Sequence, residues 1–273
     1  MWSNKLFIVI NCIPMILGAG CSRDYPRLES PIMFPLGIGN RWTLSCVRKF
    51  IPEDMGLQSD TTLYKYELNW QIMGRDVIAG HPAFVLYGEI TRGRSFRRSS
   101  ITWYTEEWQA TPGLYRIAQY TQGIGDIPIP KCMFNGCKVK ACGREFNSVD
   151  EFVLWVNGCY TKFDTVLIIP PYKVLEYPLT VGKEWIVHKT SLSTRRVVAY
   201  ERVTLPAGTF FCYRVEIVVE VVPDLIFYEW FANVGLVKHY LDVPILIVTP
   251  WGDSHRYRFV EIWELIDYEI KGE

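Results

Sequence analysis

Tyr64-Lys65-Tyr66-Glu67-Leu68-Asn69-Trp70-Gln71 is the stretch whose reading decides the fold class. Tyr64, Tyr66, Leu68 and Trp70 fall on one face of an extended chain, and Lys65, Glu67, Asn69 and Gln71 fall on the other. A strict period of two is the signature of a half-buried strand, because successive side chains of a pleated backbone point to opposite faces. The stretch 213–222 behaves in the same way, with Tyr213, Val215, Ile217, Val219 and Val221 alternating with Arg214, Glu216 and Glu220. Runs at 83–90, 199–205 and 256–265 are rich in β-branched and aromatic residues and are bounded by Gly, Pro or Asp. These signals predict an all-β chain. One segment competes as a short helix. Ser148-Val149-Asp150-Glu151 matches a capping box, Val149, Phe152, Val153 and Val156 fit helical spacing, and Gly158 can stop the turn. Its apolar content suits a strand equally, so both readings stay open.

The chain also repeats itself. Pro35-Leu36-Gly37-Ile38-Gly39-Asn40-Arg41-Trp42 matches Pro178-Leu179-Thr180-Val181-Gly182-Lys183-Glu184-Trp185 at Pro, Leu, Gly and Trp. In each half a small-residue turn and a strand follow, Gly80 through Tyr87 and Pro206 through Tyr213. An aromatic pair and a Gly-Leu come next: Trp103-Tyr104 with Gly113-Leu114, and Trp230-Phe231 with Gly235-Leu236. The order of the three matches predicts pseudo-repeats over about 34–125 and 178–245 within one β-domain, 34–273. In each PLxxGxxW element the proline suits a strand start and the glycine permits a bend. Trp42 and Trp185 are expected to be buried in equivalent positions, each beside its own half's Gly-Leu. The expected architecture is a curved antiparallel sheet, an open half-barrel or a sandwich.

FPLGIGNRW, PLTVGKEW, LPAGTFFCYRVE and WFANVGLVKHY resemble the recurring segments of a group of uncharacterised bacterial exported proteins and lipoproteins. The resemblance covers about 34–44 and 178–240. More distantly, lipoproteins of this kind are similar to the open half-barrels of the periplasmic lipoprotein carriers, an analogy of fold that assigns no function.

The N-terminus reads as an export signal. Lys5 supplies the positive charge, Leu6–Ile10 and Ile13–Leu17 supply apolar runs too short to span a bilayer, and Gly18-Ala19-Gly20 precede Cys21. This resembles the lipobox of bacterial lipoproteins, with Gly18 where that motif usually carries leucine. The resemblance implies a signal peptide over 1–20 and acylation of Cys21. Residues 21–33 are then a lipidated tether of reach ~40 Å at ~3.3 Å per residue, and the membrane is met through the lipid. Ser22, rather than Asp, implies outer-membrane sorting by analogy with enteric bacteria.

Lys plus Arg and Asp plus Glu each number 29, a balance that argues against nucleic acid as a partner. Of the eight cysteines, Cys12 leaves with the signal and Cys21 is taken by lipid. Cys132, Cys137, Cys142 and Cys159 are expected to lie near one another with at least one disulfide, around an Asn135-Gly136 hairpin turn, while Cys46 and Cys212 occupy the core. Buried thiols are the alternative, and the C-x4-C-x4-C spacing is not that of a zinc site, so no metal is expected. His81, His188, His239 and His255 are isolated in sequence and read as satisfied or solvated side chains. No metalloprotease motif, nucleophile elbow or phosphate loop occurs, so no catalytic residue and no cofactor are assigned. Arg92, Arg94, Arg97 and Arg98 suit anionic head groups but read more simply as a solvated hairpin rim. The expectation is a non-enzymatic, lipid-anchored cell-envelope protein with a structural role or an envelope protein partner. The alternative is a carrier for a lipid or another apolar ligand, with Tyr64, Tyr66, Trp70 and Tyr213 on its concave face.

Overall fold

The computed structural model describes residues 31–53, 61–92, 96–124, 137–141, 143–148, 151–152, 166–187, 193–222 and 224–271. The strands are β1 (Arg41–Pro52), β2 (Thr62–Ile78), β3 (His81–Arg92), β4 (Phe96–Trp108), β5 (Thr111–Ile124), β6 (Lys138–Ala141) and β7 (Arg144–Phe146). They continue with β8 (Val166–Glu176), β9 (Glu184–Ile186), β10 (Ser193–Leu205), β11 (Gly208–Val219), β12 (Ile226–Ala232), β13 (Gly235–Val248) and β14 (Ser254–Glu269). All pair antiparallel in one 14-stranded sheet of order β8-β5-β4-β3-β2-β1-β14-β13-β12-β11-β10-β9. The sheet rolls into a barrel-like shape with one seam.

The order divides into two halves, each laid out from its last strand to its first: β8-β5-β4-β3-β2-β1, then β14-β13-β12-β11-β10-β9. The first strand of one half meets the last strand of the other. β1 pairs with β14 from Arg41↔Glu269 to Pro52↔Tyr257. At the seam the Lys173 N–H on β8 donates to the carbonyl of Val187, just past β9, at 2.8 Å. The β6–β7 hairpin leaves this path and pairs with the far end of β13 at Leu246–Val248.

The alternation along 64–69 is the alternation observed, with Tyr64, Tyr66 and Leu68 buried and Lys65 and Glu67 exposed. Val215 and Ile217 likewise point inward from β11, whereas Val221 lies beyond the strand and is exposed. The two PLxxGxxW segments adopt the same local structure. Gly39 and Gly182 have φ of 90° and 89°, a left-handed conformation that glycine takes without steric cost. The Gly39 N–H donates to Ile72 O on β2, and the Gly182 N–H to Val197 O on β10, each at 2.8 Å. Both receiving strands then carry a bulge, between Ile72 and Gly74 and between Val197 and Ala199.

Trp42 and Trp185 are both buried, 1% and 4% exposed. Trp42 does not lie beside its own half's Gly-Leu. Its indole N–H donates to Val234 O, and a Cβ on Gly235 would come within 3.3 Å of that nitrogen. Trp185 donates to Lys173 O on β8 at 3.2 Å. Each tryptophan reaches across to the opposite half, because the first strand of each half faces the other half's strands.

At the helix candidate, Glu151 and Phe152 begin a helical turn. The Glu151 N–H donates to Ser148 Oγ at 3.1 Å, and the Asn147 N–H donates to the Glu151 carboxylate at 2.7 Å. The remainder of that segment lies outside the described residues. So do Cys21, Cys132, Cys142 and Cys159, together with Arg94 and the side chains of Arg92, Arg97 and Arg98. Cys137 is buried against the β13 end of the core, and Cys46 and Cys212 are buried thiols.

Candidate functional site

The interior divides into two apolar clusters with a charged layer between them. Along β12, Phe231 belongs to one cluster and Phe227 to the other, with Glu229 between. Along β13, His239 stands in the same way between Val237 and Leu241. On β14, Glu261 lies between Leu265 and Phe259, and on β1, Arg48 lies between Cys46 and Phe50, both of the second cluster. These charged residues occupy inward positions of their strands, and register brings them abreast: Glu229 opposes His239, and Arg48 opposes Glu261.

The result is a buried chain of charge across the barrel. Arg48 is bonded through Nε to Glu261. His239 Nε2 stands 3.5 Å from Glu261, and its Nδ1 stands 3.8 Å from Glu229. Arg195 on β10 closes the chain, with Nη1 2.7 Å from Glu229 and 3.1 Å from the carbonyl of Val174 on β8. The His239 ring stacks on Trp263 at 4.1 Å and meets Phe227 edge-on at 4.9 Å. Burial opposes charge on both glutamates. Arg195 and His239 beside Glu229, and Arg48 and His239 beside Glu261, outweigh it and hold both carboxyls down at about 2. Burial also disfavours a charged His239, but the two carboxylates reverse this and raise its pKa above the ordinary imidazole value. Burial first, then the charge of Glu261, pushes the Cys46 thiol up, which leaves it unreactive.

A cavity of about 190 Å³ opens beside this layer. Leu68, Trp70, Leu86, Ile90 and Leu114 line its apolar side, and Arg48, Arg116, Arg195 and Glu229 line its polar side. Arg116 sits over the Tyr172 ring at 4.6 Å. Small residues, Gly88, Ser99 and Ser100, also face the space. Gly88 is held to glycine here, because a Cβ would come within 2.8 Å of Ser100 Oγ and 3.0 Å of the Trp70 ring. A second, wider depression of about 710 Å³ lies on the surface between β6, β12, β13 and β14, lined by Glu53, Asp224, Lys140, Arg256 and Arg258.

No family model matches the chain, and no curated protein matches it. Among solved structures it is similar to a candidate exported protein with a YmcC-like fold from Bacteroides fragilis. Identity is 12% over 88% of this chain and 100% of that one, with a TM-score of 0.33. It is also similar to a candidate lipoprotein from Parabacteroides distasonis, at 13% identity over 88% and 100% of the two chains and a TM-score of 0.27.

Of the four residues expected on a concave ligand face, Trp70 lines the cavity. Tyr64 and Tyr66 are buried in the cluster around Phe50, and Tyr213 packs on Tyr200 at 4.8 Å in the other cluster. Those three fill the interior. Sequence reasoning passed over Arg48, Arg195, Glu229 and Glu261 and read His239 as satisfied or solvated; it is fully buried, as alternation with inward residues such as Val237 and Leu241 marks it. Among the described residues no cluster of His, Cys, Asp and Glu suits a metal ion.

Proposed function

We propose that this chain is a non-enzymatic, lipid-anchored protein of the bacterial cell envelope, acting through interactions rather than chemistry. The observation that carries this reading is the filling of the barrel. Arg48, Glu261, His239, Glu229 and Arg195 face one another in one buried chain, and the cavity beside them, about 190 Å³, lies below the roughly 300–1,000 Å³ of a drug-sized ligand pocket. Both His239 nitrogens face carboxylates, so neither is available as a base to the cavity hydroxyls of Ser99, Ser100 and Thr102. A two-chain lipid is too large for such an interior, which disfavours the lipid-carrier alternative.

The anchor rests on the Gly18-Ala19-Gly20-Cys21 motif, and outer-membrane placement rests on Ser22. Expressed in a bacterial host with labelled palmitate, the full chain should incorporate label and sediment with outer-membrane fractions, and Cys21→Ala should do neither. An unlabelled, soluble wild-type protein would overturn the anchor. Uptake of palmitate or phospholipid into the purified barrel would overturn the scaffold reading in favour of the carrier.

A further inference from the structure

The cavity is too small for a lipid, but its lining, part hydrocarbon and part guanidinium, selects a smaller molecule. Cavities of about 150 Å³ accommodate a benzene-sized guest, and this one is about 190 Å³. Leu68, Leu86 and Leu114 give the lining its hydrocarbon. Arg195 bonds the carbonyl of Val174 on β8, and Arg116, on β5, covers the ring of Tyr172, two residues earlier on the same strand.

Arg195 is the informative residue. Its Nη1 is fixed by Glu229 and Val174, which holds the planar fork in place. The side chain borders the cavity and keeps 7% of its surface accessible. An anionic oxygen in the cavity, beside that exposed part of the guanidinium, would be favoured over a neutral one by its charge. Glu229, already bound to the same guanidinium, limits how much further negative charge the site accepts, which favours a monoanion over a phosphate dianion.

We propose that the central cavity is a binding site for a small amphiphilic monocarboxylate, its carboxylate on Arg195 and its apolar end against Leu68, Leu86 and Leu114. Hexanoate is a suitable probe, hexan-1-ol its uncharged counterpart and palmitate its oversized one. Trp70 and Trp263, in edge contact at 5.9 Å, both line the cavity, so tryptophan fluorescence reports occupancy alongside titration calorimetry.

With the purified full chain, hexanoate should bind saturably at one site below about 10 mM. Hexan-1-ol should bind roughly tenfold or more weakly, for want of the charged hydrogen bond, and palmitate should not bind. Leu86→Trp, which fills the cavity, should abolish hexanoate binding. Arg195→Lys, which keeps a cation for Glu229 but removes the fork, should weaken it by roughly tenfold. The proposal fails if hexanoate gives no saturable signal, if hexan-1-ol binds as well, or if a folded Leu86→Trp protein binds hexanoate unchanged. Should Arg195→Lys not fold, the alcohol comparison and Leu86→Trp decide the matter.

Discussion

The two halves share a strand order and a local turn, yet they fill the barrel differently. The first half lines the cavity with Leu68, Trp70, Leu86, Ile90 and Leu114 and adds the guanidinium groups of Arg48 and Arg116. The second half supplies Arg195, Glu229, His239 and Glu261 to the charged layer, and Arg48 joins from β1 because β1 pairs with β14. The turn at each PLxxGxxW segment and the bulge it meets, between Ile72 and Gly74 and between Val197 and Ala199, are alike in the two halves. Inward positions answer to packing and charge and are free to diverge. In this molecule the shared elements determine the shape, and the unshared inward residues carry the chemistry of the interior.

The largest expected effect comes from breaking the charged side. Glu261→Leu leaves Arg48 buried without its carboxylate and should cost about 3–5 kcal/mol in urea unfolding. Leu86→Ala on the apolar side should cost about 2–3 kcal/mol, the low end for leucine truncation, because the site already borders open space. Pairing Glu261→Leu with Arg48→Met should recover much of the loss, since no lone charge then remains. If Leu86→Ala proves the more damaging, the contrast between the two sides is wrong.

A smaller effect tests the elements the halves share. Gly39→Ala and Gly182→Ala each force a side chain into φ near +90° and should each cost about 1–2 kcal/mol. At Gly182 a Cβ meets nothing within 4 Å, and at Gly39 it meets only the flexible Lys271 side chain. Nearly equal losses are therefore expected in paired unfolding measurements, and a large disparity would break the equivalence of the two turns.

A pH dependence belongs to the charged layer alone. Glu229 and Glu261 have folded values of about 2, lowered from 4.5. The stability they contribute is present above the unfolded value and is lost as pH falls toward 2. His239 is raised above 6.5, so its contribution is full below that pH and is lost as pH rises through the folded value. The melting temperature should peak between pH 4.5 and 6.5. His239→Gln should flatten the alkaline decline and also shrink the acid limb, because both glutamates lose a group that holds them down, as followed by circular dichroism. An alkaline limb unchanged in His239→Gln would assign it to another group.

Much of the fold is legible in the sequence wherever the signal is local. The period of two over Tyr64–Gln71 identifies β2 and its inward face, and Pro35-Leu36-Gly37 and Pro178-Leu179-Thr180 mark where two strands begin. What is not legible is long-range pairing. The pairing of β1 with β14 carries Trp42 to Val234 rather than to Gly113, and no local pattern encodes it. The charged layer is half legible: alternation marks Glu229, His239 and Glu261 as inward, but their partnership depends on the relative register of β12, β13 and β14. Bulges such as the one between Trp230 and Phe231 shift that register, and periodicity does not foresee a bulge. The cavity is less legible still, because it depends on which volumes are absent around Gly88, Ser99 and Ser100.

The junction of β1 with β14 also governs the order in which the molecule can be finished. The Arg48–Glu261 pair spans 213 residues, so the outer edge of β1 stays unpaired until β14 is in place. The hairpins β2–β3, β3–β4 and β4–β5 can form early from neighbouring sequence, but completing the barrel awaits β14. Such non-local closure makes for slow folding and a prolonged interval with a bare strand edge. Removal of β14 should therefore strip the chain of a folded barrel altogether, whatever the length of the remainder.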